Sequence, residues 1–114
     1  MVHRAVYRKL IEVAKARQTI PFVELGQVAD MTLESDADTK TLGLILDNIA
    51  DYEVAGGRPL LPVLVVNRSD NMPGAGLFEY AKRKKLQTGD NATFFATELT
   101  RVFEHWATAK MPRR

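Results

Sequence analysis

Few residues in this chain are of a type and spacing that could carry chemistry. The two histidines, His3 and His105, stand near opposite ends. Acid/base or metal chemistry needs convergent groups, and a transition-metal site takes three or four ligands. His105 therefore reads as a helix-surface or packing residue. Glu79 and Lys82 are spaced i, i+3, which on a helix predicts a surface ion pair and not half of a nuclease carboxylate-lysine pair. Ser69 and Asp70 would need a distant histidine to act as a hydrolase, and no spacing supports one. The chain contains no cysteine, which excludes thiol nucleophiles, thiolate metal sites and disulfides. The glycines of MPGAG, residues 72–76, match neither the dinucleotide fingerprint nor the P-loop spacing, and turn geometry accounts for them. The inventory predicts a non-enzymatic protein with no metal and no cofactor.

Binding chemistry is better represented. Lys82, Arg83, Lys84 and Lys85 form a basic cluster suited to phosphate, although a run of this length is also an ordinary solvated face. Lys40, Arg58 and Arg68 reinforce it only if folding gathers them. A net charge of +2 on 114 residues permits contact with a polyanion without the concentrated field that would announce one.

These residues must be positioned by one core, because 114 residues with 46% hydrophobic content suffice for a single domain. Val2, Val6, Leu10 and Val13 predict an amphipathic helix over residues 2–17. Pro21 opens a second, short helix burying Phe22, Leu25 and Val28. Ser35 with Asp38 resembles a capping box before the stripe Leu42, Ile45, Leu46, Ile49, and Gly56 and Gly57 supply the stop. Residues 59–66 are a continuous, valine-rich apolar run that predicts a buried strand, with Pro62 arguing for an edge position. NRSDNMPGAG is loop by composition. Leu77, Phe78, Tyr80 and Ala81 begin another short helix that runs into the basic cluster, whose cations suit a helix C-terminus. Asp90 caps a final helix with the stripe Phe94, Phe95, Leu99, Val102, Phe103, Trp106. That stripe reads mainly as core, with part of it available as a homodimer face. The tail, residues 109–114, is expected to fray. No apolar run reaches the roughly 20 residues of a membrane helix, and the charged N-terminus is unlike a signal peptide, so a cytoplasmic location is expected.

Taken in order, PFVELGQVADM, KTLGLILDNI and LPVLVVNRSDNMPGAGLF resemble the C-terminal domain of the DNA alkyltransferases and alkyltransferase-like proteins, over roughly residues 20–78. Pro21 and Phe22 resemble the family's aromatic-containing turn. Lys40, Thr41, Leu42 and Gly43 resemble its Arg-Ala-Val-Gly helix start, and residues 62–66 resemble its Pro-Cys-His-Arg-Val strand. The resemblance implies a winged helix-turn-helix that binds DNA by the minor groove. It makes the helix from about residue 36 the recognition helix, with Lys40 and Thr41 near its exposed start and Asn67, Arg68 and Ser69 on the wing. The departures are specific: Val63 stands at the nucleophilic cysteine, Leu64 at the following histidine, and the helix-to-strand connection is longer. No alkyl transfer is possible. The whole chain is also similar to a small bacterial family in which GRPLLPVLVVN and PGAGLFEYA would be the signature stretches, a likeness that implies no activity.

The fold class expected is α+β and mainly helical, a winged-helix-like single domain with a short strand, a wing and a C-terminal helix. Two functions remain open. One is DNA binding through Lys40, Thr41, Asn67, Arg68 and Lys82, Arg83, Lys84, Lys85. The other is a protein-interaction module whose contact surfaces are the acidic helix start at Glu34, Asp36 and Asp38 and the last helix. The acids count against DNA, since they would face phosphate, and the wing has the alternative of being a simple connecting turn.

Overall fold

In a computed structural model, residues 2–31, 35–87 and 89–108 are described. The first helix, α1 (Arg4–Lys15), starts where the His3 side chain accepts a hydrogen bond from the Val6 N–H at 3.3 Å, so this histidine is a cap. Its apolar face buries Val6, Leu10, Ile11, Val13 and Ala14. It ends two residues before the predicted stop, with Arg17 in the left-handed region at φ 55° and the Gln18 N–H donating back to the Val13 carbonyl. Strand β1 (Ile20–Pro21) leads into α2 (Phe22–Val28), with Pro21 as the flanking residue where its missing N–H costs nothing.

The long helix α3 (Asp36–Ala55) is capped as expected, the Ser35 hydroxyl accepting from the Asp38 N–H at 3.1 Å. Asp36 and Asp38 in its first turn favour the helix dipole. Gly56 closes the helix and Gly57 takes φ +72°, a value that favours glycine.

The predicted strand over residues 59–66 is corrected here. Leu61–Leu64 form a 3₁₀ turn, and only β2 (Val65–Val66) is strand. β2 pairs in parallel with β1, Ile20 opposite Val65 and Pro21 opposite Val66. The burial expectation holds, since every residue from Leu60 to Val66 is buried. The conformation differs because a continuous apolar run does not distinguish a strand from a buried helical turn. Pro62 sits in the first turn of the 3₁₀ segment, where its fixed φ and absent N–H are accommodated, and not on a sheet edge.

This 3₁₀ turn is the centre of the molecule. It is packed by α1, by α3 and by α5 (Asn91–Thr108), and Leu61, Val63 and Leu64 are inaccessible to solvent. In chain order, α4 (Ala75–Arg83) precedes α5. Asp90 caps α5 as expected, accepting from the Thr93 N–H at 2.8 Å. Val102 and Trp106 of the α5 stripe enter the main core, with Phe95, Leu99 and Phe103 packed against it. Phe94 meets Phe78 of α4 edge to face. Most of the stripe is thus engaged within the chain.

Among the described residues the architecture is mainly helical, five α-helices around a two-stranded parallel sheet. The loop after β2 does not form a β-hairpin with it. Residues 67–72 close a turn, the Asn67 N–H donating to the Met72 carbonyl and the Asn71 N–H to the Asn67 carbonyl, and the chain then enters α4. The expectations for Glu34 and for residues 109–114 lie outside the described residues. No helix of the described residues is long and apolar enough to cross a membrane.

Candidate functional site

A groove of about 320 Å³ opens between α3, β2 and α4. One face of α3 supplies Thr39, Gly43, Leu46, Asp47 and Ala50, positions three and four apart that share a helix face. Val65 and Val66 of β2 and Pro62 line it from the sheet side, and Phe22 comes from the start of α2. Asn67, Gly74, Gly76, Leu77 and Tyr80 complete the wall from the loop and α4. The lining is mostly apolar, with a few polar groups at its rim, the composition of a ligand-binding concavity.

The lining holds one acid, Asp47, and a second, Asp51, is bonded to Tyr80 behind it. Tyr80 donates its hydroxyl hydrogen bond to the Asp51 carboxylate at 2.5 Å, and burial together with that carboxylate pushes its phenol well above the usual range. Lys84 Nζ approaches Asp51 at 3.9 Å. Asp47, one turn earlier, is half-buried. Partial burial raises its carboxyl above the ordinary carboxylate range, the neighbouring Asp51 charge adds to that, and Arg83 opposes it. Arg83 lies over the Tyr80 ring at 5.4 Å and forms no ion pair with Asp47 within 4.0 Å. Asp47 accepts no side-chain or backbone hydrogen bond among the described residues.

The residues singled out from sequence are distributed around this groove. Lys40 and Thr41 are exposed near the start of α3, and the Thr41 hydroxyl donates to the Ala37 carbonyl at 2.9 Å, a bond within its own helix. Asn67 lines the groove, while Arg68 turns to Glu24 of α2 at 3.8 Å in an exposed pair. Asp70 accepts from the Met72 N–H at 3.0 Å, a bond that holds the turn. The basic cluster divides. All four cations are exposed, but Arg83 and Lys84 stand over the Tyr80 ring and Lys84 approaches Asp51, whereas Lys82 and Lys85 have no ion pair or ring contact among the described residues, Lys85 in the left-handed conformation that ends the helix. The pair expected between Glu79 and Lys82 is not among the ion pairs of the described residues, both side chains standing in solvent. His105 is half-buried and packs edge to face on Trp106.

Val63 and Leu64, which stand where the alkyltransferase resemblance places a cysteine and a histidine, are buried in the 3₁₀ turn and do not line the groove. The residues that β2 presents there are Val65 and Val66.

Sequence reasoning did not single out two buried acids. Glu53 is inaccessible, and its Oε2 accepts from Arg58 Nε at 2.9 Å and from the Tyr7 hydroxyl at 3.0 Å. Burial and the adjacent carboxylate hold the Tyr7 phenol far above its usual range. Glu98 accepts from the Leu60 N–H at 2.7 Å and from Arg101 at 2.6 Å. The signal was present, since Glu53 follows Ile49 by four residues and Glu98 precedes Val102 by four, placing both acids on apolar stripes. Both clamp residues 58–60, the segment that feeds the central 3₁₀ turn.

Compared with protein-family models, with curated proteins and with solved structures, the chain gives no match.

Proposed function

We propose that this protein is a non-catalytic winged-helix-like binding protein that contacts DNA across the face where α3, the loop after β2 and α4 meet. One observation carries the reading. Thr39, Asn67 and Leu77 line a single groove, so the start of α3, the loop and α4 flank one concavity, and Lys40 and Arg68 sit beside it. The alkyltransferase-like resemblance assigns this helix start and this loop to DNA. Lys40, Lys82 and Lys85 are exposed and unpaired among the described residues. The pairs that hold Arg68 and Lys84 are exposed, and such pairs stabilise by at most about 1 kcal/mol, so phosphate can replace the carboxylate at little cost.

A second reading, a protein-interaction module, is favoured by exposed Tyr52, Val54 and Leu86. Val54 and Leu86 line a smaller cleft with Arg58 and Arg101 at the other end of α3.

Fluorescence-anisotropy titration with labelled single- and double-stranded DNA, at low and near-physiological salt, tests the first reading. Binding should weaken as salt rises, with a logarithmic slope of roughly −0.9 per phosphate contacted on duplex DNA. Lys40→Ala, and alanine at Lys82 and Lys85 together, should each reduce affinity and slope. Affinity that does not change with salt, or no binding at low salt, sinks the DNA reading and directs the search to protein partners.

A further inference from the structure

The three glycines that line the groove have no conformational reason to be glycine. Gly57 is the glycine with positive φ among the described residues, so Gly43, Gly74 and Gly76 adopt backbone that other residues share. None is required by close packing either, because a Cβ built on each meets nothing within 4 Å. Gly43 lies in the middle of α3, where glycine is less favourable than alanine, and Gly74 occupies the N-cap of α4, where serine or aspartate would serve better. What the three share is the groove, which side chains at these positions would narrow.

The chemistry of the occupant follows from the rim. Apolar walls from Phe22, Leu46, Val66 and Leu77 favour an apolar body. A groove of about 320 Å³ is at the small end of ligand sites, suited to one ring with a short arm. Of the two acids, Asp51 is already engaged by the Tyr80 hydroxyl and by Lys84. Asp47 lines the groove, is half-buried, and has neither a hydrogen-bond donor nor an ion pair among the described residues. The Arg83 charge reaches Asp47 from beyond ion-pair distance and leaves its oxygens without a donor, and a carboxylate so placed beside an apolar wall attracts a cation and repels phosphate or another carboxylate.

From this geometry we infer that the groove is a site for a small molecule with an apolar, preferably aromatic, body and a cationic amine or amidine, the body lying between α3, β2 and α4 and the cation meeting Asp47. The inference does not rest on the DNA reading, and the two are tested separately. It also differs from that reading in charge, since it requires the acid that a phosphate would avoid.

The test is a nitrogen-15 correlation-spectrum titration of the full chain with benzamidine, with benzyl alcohol as the neutral probe and benzoate as the anionic one. Benzamidine should shift the amides of Gly43, Asn67, Gly74 and Gly76 saturably, and benzoate should not. Asp47→Asn should weaken benzamidine about tenfold, the scale of one charge-assisted hydrogen bond, while leaving the weaker binding of benzyl alcohol unchanged. Gly43→Leu should abolish binding of both with its spectrum otherwise folded. Equal binding of benzamidine and benzoate, an Asp47→Asn variant that binds benzamidine as the parent does, shifts outside the groove, or no saturable shift would each overturn the inference. No nucleic acid is present in this titration, so its failure leaves the DNA reading standing, and loss of the DNA reading leaves this one intact.

Discussion

Two stretches of α3 treat carboxylates in opposite ways. Toward its C-terminus Glu53 is fully buried and bound by Arg58 and Tyr7, and together with Glu98 it fixes the segment entering the 3₁₀ turn. Nearer its middle Asp47 is half-buried beside an open groove, without a hydrogen-bond donor among the described residues. A buried acid such as Glu53, one oxygen of which accepts from two donors while the other is buried without a partner among the described residues, holds the fold in one arrangement, since removing a donor strands a charge. An acid left partly desolvated and unpaired contributes nothing of that kind to stability. The difference separates a clamp from a candidate site on one helix.

The clamp is easiest to break at the turn it serves. Leu64→Ala empties an inaccessible position among α1, α3 and α5, and should cost about 3 kcal/mol, read from urea unfolding as a lower midpoint with an unchanged slope. A cost under about 1 kcal/mol would mean that the turn is not the centre of packing.

Glu53→Ala should come next, at about 2 kcal/mol, because Arg58 and the Tyr7 hydroxyl lose a shared acceptor while Arg58 remains partly solvated. A double-mutant cycle with Arg58→Ala should show the two losses to be less than additive. Full additivity would dissolve the clamp into independent contacts.

On the groove side the expected changes are smaller and opposite in sign. Gly43→Ala should stabilise by about 0.5–1 kcal/mol in thermal unfolding, since it relieves the entropic cost of glycine in a helix and meets no neighbour. If it destabilises, the groove wall is closer than its geometry indicates.

Asp47→Asn should give the smallest change, and its dependence on pH is the sharper readout. The folded-state carboxyl is raised above its unfolded value, so the folded protein binds that proton more tightly. This group therefore favours folding increasingly as pH falls through the folded value toward the ordinary carboxylate range, and opposes it above. The substitution should raise the melting temperature slightly near neutral pH, with the gain shrinking as the medium is acidified. An effect of the same size at every pH would show that burial does not govern this carboxyl.

Much of the fold was legible in the residues. Ser35 and Asp90 cap the helices their spacing assigns them, Gly56 and Gly57 end α3, and the stripe Leu42, Ile45, Leu46, Ile49 faces inward. These are local matters, decided within one or two turns of chain by hydrogen-bond donors, backbone freedom and apolar period. The exposed placement of Lys40 and Thr41 near the start of a helix was legible for the same reason.

The rest was decided in three dimensions. Whether residues 61–64 are strand or 3₁₀ turn depends on what surrounds them, and three helices enclosing Pro62 and its neighbours leave room for a turn and not for a ladder. The basic cluster looks uniform as a sequence, yet only folding sets Arg83 and Lys84 over the Tyr80 ring, with Lys84 near Asp51, while Lys82 and Lys85 meet no ring or acid among the described residues. By itself the sequence determined the helices, the caps of α3 and α5 and the absence of thiol chemistry, because composition and short-range bonding suffice for those. Tertiary structure alone decided that Asp47, Asn67, Gly43 and Gly74 share a groove, because their convergence depends on how α3, β2 and α4 pack across distant parts of the chain.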